Sequence, residues 1–83
     1  MEYNDVITRY YKNATIEIVV EDDAITTGKV FVDSECVDVR EFTTANGGDV
    51  PFTRANYDAI LDELKGIVDV MWEENFKKCA VMR

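Results

Sequence analysis

Residues 14–44 read ATIEIVVEDDAITTGKVFVDSECVDVREFTT, and the fold turns on this stretch. Between Ala14 and Glu21, Ile16, Ile18 and Val20 alternate with Glu17, Val19 and Glu21. A period of two in β-branched residues describes a strand with one well-buried face. Glu21-Asp22-Asp23 is a charged break suited to a turn. AITTGKVFV (24–32) is β-branched and aromatic again, with Gly28 as a bulge or a point of close approach. Asp33-Ser34-Glu35 makes a second turn. CVDVREFTT (36–44) then alternates once more, Val37 and Val39 against Asp38 and Arg40. Links this brief cannot cross over to a parallel neighbour, so the three strands form an antiparallel meander.

Upstream, Tyr3, Val6, Ile7, Tyr10 and Tyr11 fall at helical spacing, which predicts a short amphipathic helix over residues 2–12 that stops at Asn13. Downstream, Ala45 to Pro51 carries Asn46-Gly47-Gly48-Asp49 and reads as the longest loop. Thr53 is a good N-cap, and Phe52 before it can staple onto Tyr57. Tyr57, Ile60, Leu61, Leu64, Ile67, Val68, Met71, Trp72 and Phe76 keep the i, i+3, i+4, i+7 spacing, and Lys77 and Lys78 suit a helix C-terminus. A helix from Thr53 to Cys79 would span roughly 40 Å, longer than the strands of so small a sheet. Either Gly66 bends it or its end projects. The expected fold is α+β, one domain over 1–83 in the order α-β-β-β-α, with both helices on one face of the sheet.

Charge narrows the function. Seventeen acidic residues against nine basic ones give a net charge of −8 and a pI near 4.3. Direct binding to nucleic acid or to an anionic membrane is disfavoured, because both need Lys and Arg. No run approaches the roughly 18–20 apolar residues of a membrane span. Cys36 and Cys79 are far apart, without CxxC spacing or a signal peptide, and read as two reduced, buried thiols in a cytoplasmic protein.

The chain has no histidine, so the commonest general base and transition-metal ligand is missing. Asn46-Gly47-Gly48-Asp49 lacks the Lys-Ser/Thr of a phosphate loop. Asp22, Asp23, Asp33 and Glu35 occupy turns, but at opposite ends of the middle strand and without calcium-loop spacing. No catalytic residue, metal or cofactor is expected. The acids of the last helix are more informative. Asp58, Asp62, Asp69 and Glu73 share one stripe opposite the apolar one, with axial separations of about 6, 10 and 6 Å, near the roughly 7 Å phosphate spacing of a nucleic-acid strand. Glu63 and Glu74 flank them, while Glu21, Asp22, Asp33 and Glu35 supply a second negative surface on the sheet. The plainer reading is a solvated helix face, which any soluble amphipathic helix has. Trp72, Met71, Phe76 and Val81 serve either the core or a homodimer seam.

The α-β-β-β-α order resembles the double-stranded-RNA-binding domain, but TRANYDAILDEL (53–64) puts acids where that family needs lysines, and RNA binding is rejected. The acidity, the size and the opening MEYNDVITRYYKN, with Asn4-Asp5 before an aliphatic pair, resemble small phage-encoded anti-CRISPR proteins. One Cas9-blocking group of these places a short helix before three strands and presents acids that mimic DNA. That resemblance implies an inhibitor acting in the host cytoplasm. It would block the nucleic-acid groove of a basic partner, a CRISPR-Cas effector, by negative-charge mimicry. The alternative is a non-catalytic interaction or homodimerisation module working through the apolar face of the last helix.

Overall fold

Four strands follow one another through two-residue turns, and one long helix returns over them. The structure, a computed structural model, describes residues 3–81 and the side chains of residues 3–74. Its elements are β1 (Asp5–Tyr11), β2 (Ala14–Glu21), β3 (Ala24–Val32), β4 (Glu35–Glu41), β5 (Val50–Pro51) and α1 (Arg54–Val81). The sheet is antiparallel in the order β1-β2-β3-β4, and β5 pairs with the first residues of β3 beyond the end of β4. The chain is α+β, with the meander of β2, β3 and β4 where the alternation puts it.

The turns explain the tight meander. Asp22 and Asp23 have φ of 51° and 63°, and Asp33 and Ser34 have 52° and 67°. Positive φ at both central residues matches the right-handed twist of the flanking strands. Asp enters this region more readily than most residues, because its short polar side chain can bond locally.

The expected first helix is instead strand β1. Its residues pair with β2 throughout, Ile7 opposite Ile18, Arg9 opposite Ile16 and Tyr11 opposite Ala14. Directly paired residues share a face, so Ile7, Arg9 and Tyr11 look toward the helix while Val6, Thr8 and Tyr10 look away. A helix of about ten residues is marginal by itself. The same β-branched and aromatic residues gain a full ladder once the Lys12–Asn13 turn folds them back. The order α-β-β-β-α is thus replaced, among the described residues, by five strands and one helix. The fifth strand, β5, lies at the end of the expected loop, which otherwise closes through Thr44 and Gly48.

Ala14, Ile16, Ile18, Val20, Ile25 and Val30 from the sheet enclose the core with Ile60, Leu64 and Val68 from α1. Each large aliphatic side chain buried there contributes about 1.5–3 kcal/mol. Gly28 lets the two layers meet: a Cβ at this position would lie 2.8 Å from Leu64 Cδ1 and 2.9 Å from Phe42 Cε2. The register irregularities fall elsewhere, at Val19/Val20 and Val30/Phe31. Helix α1 runs unbroken through Gly66 for 28 residues, about 42 Å. Its apolar residues pack on the core as far as Met71, and beyond Trp72 it projects past the sheet, drawing the molecule out to 56 Å. The apolar stripe from Tyr57 to Met71 therefore packs on the core. Trp72 is 43% exposed, and the side chains of Phe76, Cys79 and Val81 lie outside the described residues.

Among the described residues one helix covers one face of the sheet. The other exposes Tyr10 (81%), Val39 (52%) and Val6 (50%). Cys36 is also exposed, contrary to the buried thiol expected. The slip at Val30/Phe31 sets it opposite Phe31 on an edge strand, with its thiol 3.6 Å from the Asp38 carbonyl. No helix among the described residues is long and apolar enough to cross a membrane.

Candidate functional site

Helix α1 begins as its sequence indicates. Thr53 Oγ1 accepts the Asn56 N–H at 3.2 Å, and the Thr53 carbonyl accepts the Tyr57 N–H at 2.8 Å. Phe52 meets the Tyr57 ring edge-on at 6.3 Å and stacks on Tyr3 at 5.4 Å. The N-cap and the staple fix the direction of the helix, so α1 runs parallel to β3 from the Asp22–Asp23 turn toward the Lys12–Asn13 and Asp33–Ser34 turns.

The nominated acids divide into groups. Asp58, Asp62 and Glu73 are exposed on the outer line of the helix. Asp58 lies 3.5 Å from the Arg54 Nε in a loose pair. Asp69 differs from them. Its Oδ1 accepts a hydrogen bond from Lys12 Nζ at 2.6 Å and from Tyr11 Oη at 2.9 Å. Lys12 holds this carboxyl below the ordinary carboxylate range, Tyr11 adding to the effect, and Asp69 in turn raises both the Tyr11 phenol and the Lys12 amine. Asp69 thus ties the helix to the β1–β2 turn, and the regular spacing of the stripe is interrupted. Asp58 and Asp62 remain about 6 Å apart, and Glu73 follows about 16 Å further along.

Glu63 and Glu74 are exposed but lie roughly 100° round the helix from that line. On the sheet, Glu21 and Asp22 stand at the end where α1 starts, because Asp23 of the same turn accepts the Phe52 N–H. Asp33 and Glu35 stand at the opposite end, next to the Lys12–Asn13 turn, since Ala14 pairs with Val32. The ten acids therefore form a diffuse negative surface around both ends, not one continuous track. Among the described carboxylates only Asp38, Asp58 and Asp69 meet a cation within 4 Å. No group of three or more side chains suited to a metal occurs among the described residues.

One feature of the site went unread in the sequence. An open cleft of about 270 Å³ is lined by Ile7, Arg9, Phe52, Thr53, Arg54 and Tyr57. The Arg9 guanidinium stands 5.9 Å from the centre of the Tyr57 ring. Period two across residues 5–11 would have placed Ile7, Arg9 and Tyr11 on one face, whereas the helical spacing hid that alignment.

Comparison with protein-family models, with curated proteins and with solved structures finds no match to the chain.

Proposed function

We propose that the protein is a small, non-catalytic inhibitor whose negative surface occupies a basic nucleic-acid groove on another protein. The carrying observation is the exposed acidic line Asp58, Asp62 and Glu73 on a rigid, unbroken helix that projects past its sheet. A charge of −8, with few internal ion pairs among the described residues, leaves this surface a long-range field that steers a cationic partner toward it. Because Asp69 is held internally, the match is one of potential and not of phosphate-by-phosphate register. The helix-first order that tied the chain to the Cas9-blocking proteins is absent. The proposal therefore rests on charge, with a CRISPR effector as one target class among enzymes that hold DNA or RNA in a basic channel.

The test is capture of a nucleic-acid-processing complex on the immobilised chain, followed by elution with competing DNA. The parent should retain a basic enzyme that DNA releases. A variant carrying Asp58→Lys, Asp62→Lys and Glu73→Lys should lose it while keeping the same circular dichroism. Retention unchanged by the triple reversal would sink the proposal for this face.

A second reading draws on the uncovered sheet face with Tyr10, Val6 and Val39. It would make the chain an apolar interaction module, whose binding would be indifferent to salt.

A further inference from the structure

We infer that the cleft between β1 and the start of α1 binds a small organic anion, a carboxylate or phosphate head on a flat apolar body. Positive charge is scarce in this chain, yet two arginines, Arg9 and Arg54, line the same cleft. Neither is fully engaged. Arg9 makes no ion pair among the described residues and spends one N–H on its neighbour Thr8, at 2.9 Å from the carbonyl. Arg54 is 90% exposed in its 3.5 Å pair with Asp58.

The helix start adds to the same sign. A chain with 17 acids places none in the first turn of α1, where they would ordinarily complement the dipole. Arg54 occupies that turn instead, although a cation there opposes the dipole. Thr53 satisfies the Asn56 and Tyr57 N–H groups, whereas those of Arg54 and Ala55 have no acceptor among the described residues. Two guanidinium groups thus line one cleft beside two free amide donors at the helix start, and Asp58 is the one carboxylate among the described residues that pairs with either guanidinium, at 3.5 Å.

The walls define the rest of the ligand. Ile7, Phe52 and Tyr57 offer apolar and aromatic surface beside the charged groups, a pairing that suits a planar body carrying an acidic head. Tyr57 contributes its ring and not its hydroxyl, which is sealed from solvent and has no hydrogen-bond partner among the described residues. The cleft touches the acidic line of the groove-blocking proposal only where Arg54 pairs with Asp58, so Arg9→Gln tests the cleft and reversal of Glu73 tests the line, each without the other.

Phenyl phosphate, benzoate and inorganic phosphate, titrated into the full-length chain at low salt and followed by amide NMR, test the inference. Phenyl phosphate or benzoate should shift the amides of Thr53, Arg54 and Ala55 and the ring of Tyr57, with saturation near the millimolar range of roughly 4 kcal/mol ligands. The tighter of the two identifies the preferred head group. Arg9→Gln and Arg54→Gln should each weaken binding at least about fivefold, and Glu73→Gln should leave it unchanged. No shift with either aromatic anion would overturn the inference, as would shifts that survive both arginine substitutions. Inorganic phosphate binding as tightly as phenyl phosphate would overturn the aromatic part of the ligand. The mapping on the parent chain decides the location even if a variant fails to fold.

Discussion

Gly28 and Gly66 are both interior glycines of regular elements, yet they carry opposite consequences. At Gly28 a methyl group would press on Leu64 and Phe42, both at the packed junction of sheet and helix. Gly28→Ala should destabilise the protein by about 1–3 kcal/mol, the usual cost of overpacking. At Gly66 a Cβ would meet nothing within 4 Å, so Gly66→Ala should stabilise by about 0.5–1 kcal/mol through helix propensity. Urea midpoints of the two variants, with unchanged slopes, check the pair. Asp69 gives a prediction in pH. Its folded pKa is lowered, so it adds stability above the ordinary carboxylate value and loses it as pH falls through the depressed one. Lys12 has a raised folded pKa, so its contribution is complete below the ordinary lysine value and fades as pH rises through the raised one. Asp69→Asn should therefore lower the urea midpoint at about pH 7, and the gap should close at about pH 2.

Strand β1 is an exposed edge, and its own side chains guard it. The Asp5 carboxylate accepts the Val6 N–H at 2.8 Å, and Arg9 donates to the Thr8 carbonyl at 2.9 Å. The odd residues of β1 face β2 through the hairpin ladder, which leaves these even-numbered groups on the open side. Satisfying them locally blunts edge-to-edge pairing. Replacing both guards, Asp5→Ala with Arg9→Ala, should make the apparent mass by light scattering rise with concentration more steeply than for the parent. A flat response would show that the edge is protected by other means.

This strand also shows where sequence reading stops. The meander, its turns, the N-cap at Thr53, the Phe52–Tyr57 staple and the long helix were legible, because each depends on residues close in sequence. Residues 3–11 satisfied both periods, since Tyr3, Val6, Ile7, Tyr10 and Tyr11 fit a helix while Ile7 and Tyr11 fit a buried strand face. The deciding partner was β2, and a ladder is not visible in either strand alone. Val50–Pro51 is too short to carry any period. The acidic stripe is visible in sequence only as a spacing, and nothing in that spacing could say that Tyr11 and Lys12 reach across to Asp69.

At the level of the whole molecule, the imbalance of 17 acids over nine bases works against compactness. Only three ion pairs offset it among the described residues, and all involve exposed or half-exposed groups of small individual worth. Self-repulsion should therefore exceed pair attraction, and salt should stabilise the protein by screening it. Raising ionic strength from about 0.01 M to about 0.15 M, where the screening length falls from about 30 Å to about 8 Å, should raise the melting temperature. A fall would mean that the Lys12–Asp69 clamp outweighs the net charge.

The helix that covers the sheet leaves the ribosome after the strands it covers. Strands β1 to β4 emerge first and can zip locally through their two-residue turns, but the apolar face carrying Ile16, Ile18 and Val30 has no cover until Leu64 and Val68 follow. An apolar sheet face left open to water is a site of unintended association. Until residues 54–81 emerge, then, the nascent chain displays a sticky, half-finished surface, and its survival depends on how promptly that stretch is translated.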